Sequence, residues 1–196
     1  MKRSGQTMLE LVIAAGVISV SVIAALTLII KTIDLAQQSQ LTVEAGNYAR
    51  EGVEVVRMIR DSNWLDIDDN VSRCGSLTLW DSDGGTTNPC LRMNGSYIAA
   101  FDPLSSGWKL LPCTASNCTG QNALVRLGNY TTQSLSSVPG STATSFQRTI
   151  TLAPSTETAT INGKDYTLSL VTITVNVTWK NGSRKVTLHE KLYNWR

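Results

Sequence analysis

Residues 1–30 read MKRSGQTMLELVIAAGVISVSVIAALTLII, and the rest of the fold is expected to build on this segment. The 20 residues from Leu11 to Ile30 contain no charged side chain. At about 1.5 Å per residue, a helix of that length crosses the roughly 30 Å apolar core of a bilayer. Lys2 and Arg3 precede the run, so the N-terminus is expected on the cytoplasmic side. The segment predicts a single-pass helix in the cytoplasmic membrane.

Glu10 is the unusual residue at the start of this apolar segment. A carboxylate at the edge of a membrane helix is costly and indicates a functional site by default. A secretory signal has a shorter apolar core with a small-x-small cleavage site after it, and no such site follows here. A generic membrane anchor requires only hydrophobicity, so it gives no reason for Gly5 or Glu10.

The basic leader ending in Gly5, followed by Thr7, Leu9, Glu10 and the apolar run, resembles the N-terminus of type IV pilins and pseudopilins. The resemblance implies that a prepilin peptidase cuts between Gly5 and Gln6 and methylates the new amine of Gln6. It also implies two further partners: other pilin subunits, in a homo- or hetero-polymeric filament, and an inner-membrane assembly platform. In that filament Glu10 would pair with the Gln6 amine of a neighbouring subunit and so select one axial register.

The apolar run is not followed by a turn signal, because residues 31–45 contain neither proline nor glycine. Small and apolar residues then recur at helical spacing, at Ala45, Tyr48, Ala49, Gly52, Val53, Val56 and Ile59. This pattern predicts one continuous helix from about Thr7 to about Ser62, with a weak point near Gly46. Thr27 stands where many pilins carry a helix-kinking proline, so the resemblance does not imply a kink there.

The C-terminal third alternates in the manner of β-strands. Phe146 to Leu152 and Tyr166 to Trp179 are predicted strands, and Asn162-Gly163 is a hairpin signal between them. The phase of alternation slips near Val171-Thr172, which predicts a bulge or bend. Lys180-Asn181-Gly182-Ser183 carries a second Asn-Gly and leads into a last strand. Glu190 interrupts the apolar face of that strand, which suggests that the strand reaches an edge there.

These elements predict an α+β fold in which the C-terminal half of a long N-terminal helix packs on an antiparallel sheet. Residues 1–5 form the leader and residues 6–30 the membrane or filament-core helix. Residues 31–63 continue as an amphipathic helix into the globular domain. Residues 64–196 form an extracytoplasmic β-rich domain.

The section between helix and sheet, from Trp64 to Ser145, is rich in Gly, Ser, Thr and Asn. Short strands are predicted at Leu77–Trp80, Ser96–Ala99 and Ala123–Leu127, and Gln133 to Ser145 is expected to be a surface loop. All four cysteines lie here, at Cys74, Cys90, Cys113 and Cys118. An even count on the outer side of a membrane predicts disulfides. Three pairings are possible, and the nearest-neighbour one joins Cys74 to Cys90 and Cys113 to Cys118.

Other chemistries find little support in the sequence. Loss of Lys2 and Arg3 with the leader brings the 17 basic residues into balance with the 15 acidic ones, so a nucleic-acid partner is not expected. The segment from Asp81 to Gly85 lacks the bidentate Glu of a calcium loop, so no metal is expected. His189 is the single histidine, and no nucleophile elbow or phosphate-cradling loop occurs. No cofactor and no enzymatic activity are predicted.

The predicted function is therefore that of a structural subunit, a major or minor prepilin of a type IV pilus or a related pseudopilus. It would cross the inner membrane once before assembly and then enter an extracellular or periplasmic filament. Two alternatives stay open. One is a type II secretion pseudopilin or a tip-located minor pilin for adhesion or DNA uptake. The other is a membrane-anchored extracytoplasmic binding domain that never polymerises.

Overall fold

The computed structural model describes residues 4–68, 93–102, 107–113, 123–127, 130–133 and 140–194. The chain divides into two compact units, Met1–Val43 and Glu44–Arg196. The strand predicted at Leu77–Trp80 and the calcium-loop fragment from Asp81 to Gly85 lie outside the described residues.

Helix α1 spans Ser4–Asp68, 65 residues, and starts and ends slightly beyond the predicted limits. It runs without interruption through Thr27 and through Gly46, where the sequence predicted a weak point. No proline occurs between its ends, and a single glycine in a helix costs only about 1 kcal/mol relative to alanine. Helical propensity and the lack of a breaker therefore outweigh that cost.

The seven described strands form one antiparallel sheet in the second unit. They are β1 (Gly95–Asp102), β2 (Gly107–Pro112), β3 (Ala123–Leu127), β4 (Tyr130–Thr132), β5 (Thr142–Ile161), β6 (Lys164–Trp179) and β7 (Arg184–Tyr193). Strand β5 is central, because it pairs with β6 along one edge and with β3 and then β1 along the other. Strands β2, β4 and β7 pair with β1, β3 and β6 respectively.

Both predicted Asn-Gly hairpins form. Asn162 and Gly163 join β5 to β6 with φ values of 53° and 75°, the left-handed conformation that a two-residue hairpin turn requires. Lys180 to Ser183 joins β6 to β7, and Asn181 and Gly182 again have positive φ. These turns fix the register of the three longest strands, which are neighbours in the sheet.

The apolar face of the sheet packs against the second half of α1, which confirms the α+β arrangement. The predicted helical stripe is buried, and so are alternate side chains of β5 and β6, among them Phe146, Ile150, Leu152, Ile173, Val175, Val177 and Trp179. Tyr48 of α1 meets Phe146 edge to face, with ring centroids 5.3 Å apart. Each fully buried aliphatic or aromatic side chain contributes about 1.5–3 kcal/mol, so this layer is the main source of stability in the unit.

Two predictions about the strands were wrong. The β5–β6 pairing passes through Pro154↔Val171 and Ala153↔Thr172 in unbroken register, so there is no bulge at the phase slip. The slip arises because Leu170 and Val171, on opposite faces, are both buried. The loop predicted from Gln133 to Ser145 is also shorter at both ends, since Gln133 is fully buried and β5 begins at Thr142. Residues 134–139 lie outside the part that the structure describes.

Candidate functional site

The first unit presents an apolar helix that is exposed on every side. From Met8 to Ile30 all described side chains are exposed, including Leu9, Val12 and Ile18 at 65%, 68% and 63%. By length and composition this helix can cross a membrane, and none of its most apolar window is buried. A helix that is apolar all round requires lipid or other helices around it.

The hydroxyl groups within this apolar run are satisfied by the helix itself. Ser19 Oγ donates to the Ala15 carbonyl at 2.7 Å, Ser21 Oγ to that of Val17 at 2.8 Å, and Thr27 Oγ1 to that of Ile23 at 2.9 Å. An unpaired polar group in hydrocarbon costs several kcal/mol, and these bonds remove that cost. The run therefore presents no unsatisfied hydroxyl donor at these three positions to lipid or to a neighbouring helix.

Glu10 places an exposed carboxylate directly before the apolar run. It lies four residues after Gln6 on the same helix, and Gly5 and Gln6 both fall within α1. Positions four apart share one side of a helix, so Glu10 lies one turn along from the predicted new N-terminus. Within the described part of the chain Glu10 has no hydrogen-bond or ion-pair partner.

A second site lies where α1 meets the sheet, around Arg148 of β5. The Arg148 side chain is fully buried on the core face, between Phe146 and Ile150. Nη1 donates to Glu51 Oε1 at 2.7 Å and to the Tyr48 carbonyl at 3.1 Å, both on α1. One guanidinium thus binds a carboxylate and a carbonyl of the helix from within the sheet.

The same guanidinium reaches two further segments. Nε donates to Gln133 Oε1 at 3.0 Å and Nη2 to the Ala99 carbonyl of β1 at 3.4 Å. The fully buried Gln133 in turn donates from Nε2 to the Arg148 carbonyl at 2.7 Å and accepts from the Ala99 N–H at 3.3 Å. Arg148 therefore ties α1, β1, β5 and the residue after β4 into one polar network.

Two effects act on the pKa of Arg148 in opposite directions. Burial lowers the pKa of the Arg148 guanidinium, and the Glu51 carboxylate acts against that shift. A buried charge persists only when it is paired and its hydrogen bonds are made. The network meets both conditions, since all three guanidinium nitrogens have acceptors.

Glu190, which interrupts the apolar face of β7, is an ion-pair partner for α1. Arg57 donates to Glu190 Oε1 from Nε at 2.8 Å and also from Nη2. This carboxylate raises the pKa of Arg57. Strand β7 pairs only with β6 among the described strands, which agrees with the predicted edge. The sequence identified the interruption, and the structure supplies its physical reason.

Cys113 follows β2 directly, and it is buried and disulfide-bonded. Its backbone N–H donates to the Ser96 carbonyl at 2.8 Å, which holds the cysteine against β1. Cys74, Cys90 and Cys118 lie outside the described residues, so the choice among the three pairings stays a prediction. Among the residues that the structure describes, no group of three or more His, Cys, Asp and Glu side chains is placed to hold a metal ion.

The sequence interpretation missed Arg148 and Gln133. A signal for Arg148 was present, because position 148 falls on the apolar phase of an alternating strand. Glu51 lies beside the buried helical stripe at Tyr48 and Gly52, which offers the opposite charge. Gln133 had no such signal, since it follows a three-residue strand and is close to Arg148 only in the folded chain.

Comparison of the chain with protein-family models, with curated proteins and with solved structures finds no match in any of the three.

Proposed function

We propose that this chain is a prepilin, a structural subunit that is cut after Gly5 and polymerises through the first part of α1. The observation that carries the proposal is an exposed apolar helix bearing one unpartnered carboxylate, Glu10, on a chain whose second unit anchors the same helix against a sheet. Before assembly the apolar residues lie in the inner membrane. After cleavage they form the core of a filament outside the cytoplasm.

Helix packing supplies most of the assembly energy in this proposal. Lipid tails are as apolar as leucine, so moving a helix from lipid into a bundle gains little hydrophobic free energy. Close packing supplies the gain instead, and small residues allow it. Ala14, Ala15 and Gly16 lie together in the run, and a Cβ at Gly16 would meet nothing within 4 Å in the isolated chain.

Glu10 selects the register of that packing. In a dry bundle a charge pair offsets its desolvation only when the geometry is good, so a misplaced subunit leaves the carboxylate unpaired. Cleavage after Gly5 creates an amine on Gln6, and the amine of a neighbouring subunit is the proposed partner. An unpaired charge inside the bundle costs several kcal/mol, which is enough to reject a wrong register.

The experiment separates cleavage from assembly in the producing host. Gly5→Leu should leave the chain uncut in the membrane. Glu10→Gln should be cut normally, yet the sheared filament fraction should lose at least nine-tenths of the chain. Asp34→Asn is the matched control, a carboxylate on the same helix beyond the apolar run, and it should behave as wild type. Wild-type filament yield from Glu10→Gln would contradict the role of Glu10.

A further inference from the structure

Two Asn-Gly turns of the same sheet are alike in sequence and conformation. Asn162-Gly163 joins β5 to β6, and Asn181-Gly182 lies in the turn between β6 and β7. All four residues are exposed, and their φ values are all positive, between 53° and 81°. Any difference in their chemistry must therefore come from the structure around each turn.

An Asn-Gly pair can modify itself without an enzyme, which makes its asparagine thermolabile. The backbone nitrogen of glycine attacks the asparagine Cγ, so that an N–Cγ bond forms and the Cγ–Nδ2 bond breaks. The glycine amide proton leaves with Nδ2 as ammonia, and a five-membered imide remains. Water then opens the imide at either carbonyl and gives aspartate or isoaspartate. Glycine favours the attack because it has no Cβ to obstruct its nitrogen.

The attack requires the asparagine to leave its turn conformation, because Cγ must rotate onto the next backbone nitrogen. In a tight hairpin the left-handed φ of the turn residues is imposed by the pairing of the flanking strands. The rate in the folded chain therefore depends on how often the strands beside the turn separate. Two turns of the same sequence should differ by the local stability of those strands.

The first turn lies at the tip of a hairpin that extends beyond the rest of the sheet. Strand β5 pairs with β1 only up to Leu152, and β6 pairs with β7 only from Leu170 onward. Beyond these residues β5 and β6 pair only with each other among the described strands, as far as Ile161↔Lys164. Residues 153–169 thus form a two-stranded ribbon, here called the arm.

The arm has no core of its own. None of the side chains of residues 153–169 is buried, and Ile161, in the pair that closes the turn, is 57% exposed. A two-stranded hairpin is only marginally stable in water, because it buries too little apolar surface. The strands beside Asn162 should therefore separate while the rest of the sheet stays folded.

The second turn is held by the core and by its own hydrogen bonds. Trp179, the last residue of β6, is buried and packs against Phe146 with ring centroids 6.0 Å apart. Ser183 donates twice to the Lys180 carbonyl, from its backbone N–H at 3.2 Å and from Oγ at 2.8 Å. These contacts enclose the second Asn-Gly pair, so opening this turn must also disturb buried aromatic packing.

We propose that Asn162 is a site of spontaneous deamidation, and that the packed end of the sheet protects Asn181 from the same reaction. Water is the co-reactant, and ammonia is released. Aspartate at position 162 adds a carboxylate two residues before Lys164, and isoaspartate also lengthens the backbone of a two-residue turn by one methylene. The tip of the arm thus changes in charge and shape as the protein ages. This modification depends neither on cleavage after Gly5 nor on assembly.

The first test incubates the purified full chain in detergent at mildly alkaline pH and follows both asparagines by peptide mapping with mass spectrometry. In the folded chain Asn162 should convert at least about ten times faster than Asn181, because only its strands open locally. In urea, where neither turn is held, the two rates should agree within about threefold. A folded-chain rate at Asn181 equal to or above that at Asn162 would overturn the proposal.

A variant of the arm tests whether strand separation controls the reaction. Thr158→Gly removes a side chain that pairs with Thr167 across the arm, and glycine weakens a strand interior. It should raise the Asn162 rate about two- to fivefold, the effect of one cross-strand pair, and leave the Asn181 rate unchanged. Thr187→Gly is the matched control, an exposed threonine on β7, and should leave the Asn162 rate unchanged. An Asn162 rate that does not respond to Thr158→Gly would also overturn the proposal.

Discussion

Arg148 Nη1 donates to Glu51 Oε1 over 2.7 Å, joining two residues 97 positions apart across the helix–sheet interface. Glu51 is 34% exposed, whereas Arg148 is fully buried. The buried guanidinium therefore needs the ion pair more than the partly solvated carboxylate does. Replacing a buried ion pair with apolar groups is often neutral, whereas removing one partner is strongly destabilising. The pair therefore fixes the position of α1 on the sheet more than it adds to stability.

This asymmetry predicts an order of stabilities. Glu51→Ala leaves a buried guanidinium without its carboxylate and should cost toward the lower end of about 3–5 kcal/mol, because Glu51 is partly solvated. Arg148→Met should cost less, since the Glu51 carboxylate can turn to water and Gln133 keeps its bonds to the backbone at Ala99 and position 148. Urea unfolding of the full chain in detergent, followed by tryptophan fluorescence, measures both.

Arg50→Met is the control for these variants, because Arg50 is exposed on the same helix and its loss should change the unfolding free energy by no more than about 0.5 kcal/mol. A Glu51→Ala variant as stable as this control would show that the buried charge does not depend on its carboxylate.

Two glycines of α1 should respond in opposite directions to alanine or larger residues. A Cβ at Gly52 would lie 3.1 Å from Val175 Cγ1 and 3.3 Å from Arg148 Cδ, so Gly52→Leu should overpack the interface and cost about 1–3 kcal/mol or more. A Cβ at Gly46 meets nothing within 4 Å, so Gly46→Ala should stabilise the helix by about 0.5–1 kcal/mol. Equal effects at the two positions would contradict the close approach at Gly52.

The Glu157 carboxyl should titrate below its ordinary range. Lys191 Nζ donates to it, as does Tyr193 Oη at 2.8 Å, and these bonds lower the pKa of Glu157, the lysine contributing most. Because the folded-state pKa is the lower one, this contribution to stability is present above the unfolded pKa and is lost as pH falls through the folded pKa. NMR titration should show the Glu157 pKa rising toward its ordinary value in Lys191→Met. Lys185→Met, on the same strand and face, should leave it unchanged.

Cys113 should be found in a disulfide by peptide mapping under non-reducing conditions. Cys113→Ser should lower the free energy of unfolding by about 2–5 kcal/mol, because the cross-link restricts the unfolded chain. Reducing agent should lower the stability of the wild type and leave that of the variant much less affected. A free thiol at Cys113 in the secreted or membrane-bound protein would contradict this.

Much of the fold could be predicted from the sequence, and the reasons are local. The helical stripe from Ala45 to Ile59 and the strand alternation after Phe146 each specify one buried face, and the two Asn-Gly turns specify the hairpins. The phase slip at Val171 led to the wrong prediction of a bulge. Alternation of apolar residues indicates which side chains are buried, and Leu170 is buried on the face of the sheet away from α1. The extension of β5 to Ile161 was not predicted either, because strand alternation does not indicate where an exposed strand ends.

The candidate sites also differ in how far they could be predicted from the sequence. Glu10 stands out because a carboxylate beside an apolar run is rare, so one residue carries the signal. The Arg148 network joins four segments that are far apart in the sequence, and its members are neighbours only in the folded chain. The Glu190–Arg57 pair is intermediate, since the interruption at Glu190 was visible but its partner, 133 positions away, was not.

Processing after Gly5 and assembly through α1 are the two properties that define the proposed prepilin. The most direct test is the mass of the N-terminal peptide from sheared surface filaments and from membranes of the producing host. We expect a chain that begins at Gln6 with a methylated amine and is present in the sheared fraction. An uncut chain beginning at Met1 and confined to membranes, in a host with active prepilin peptidase, would contradict it.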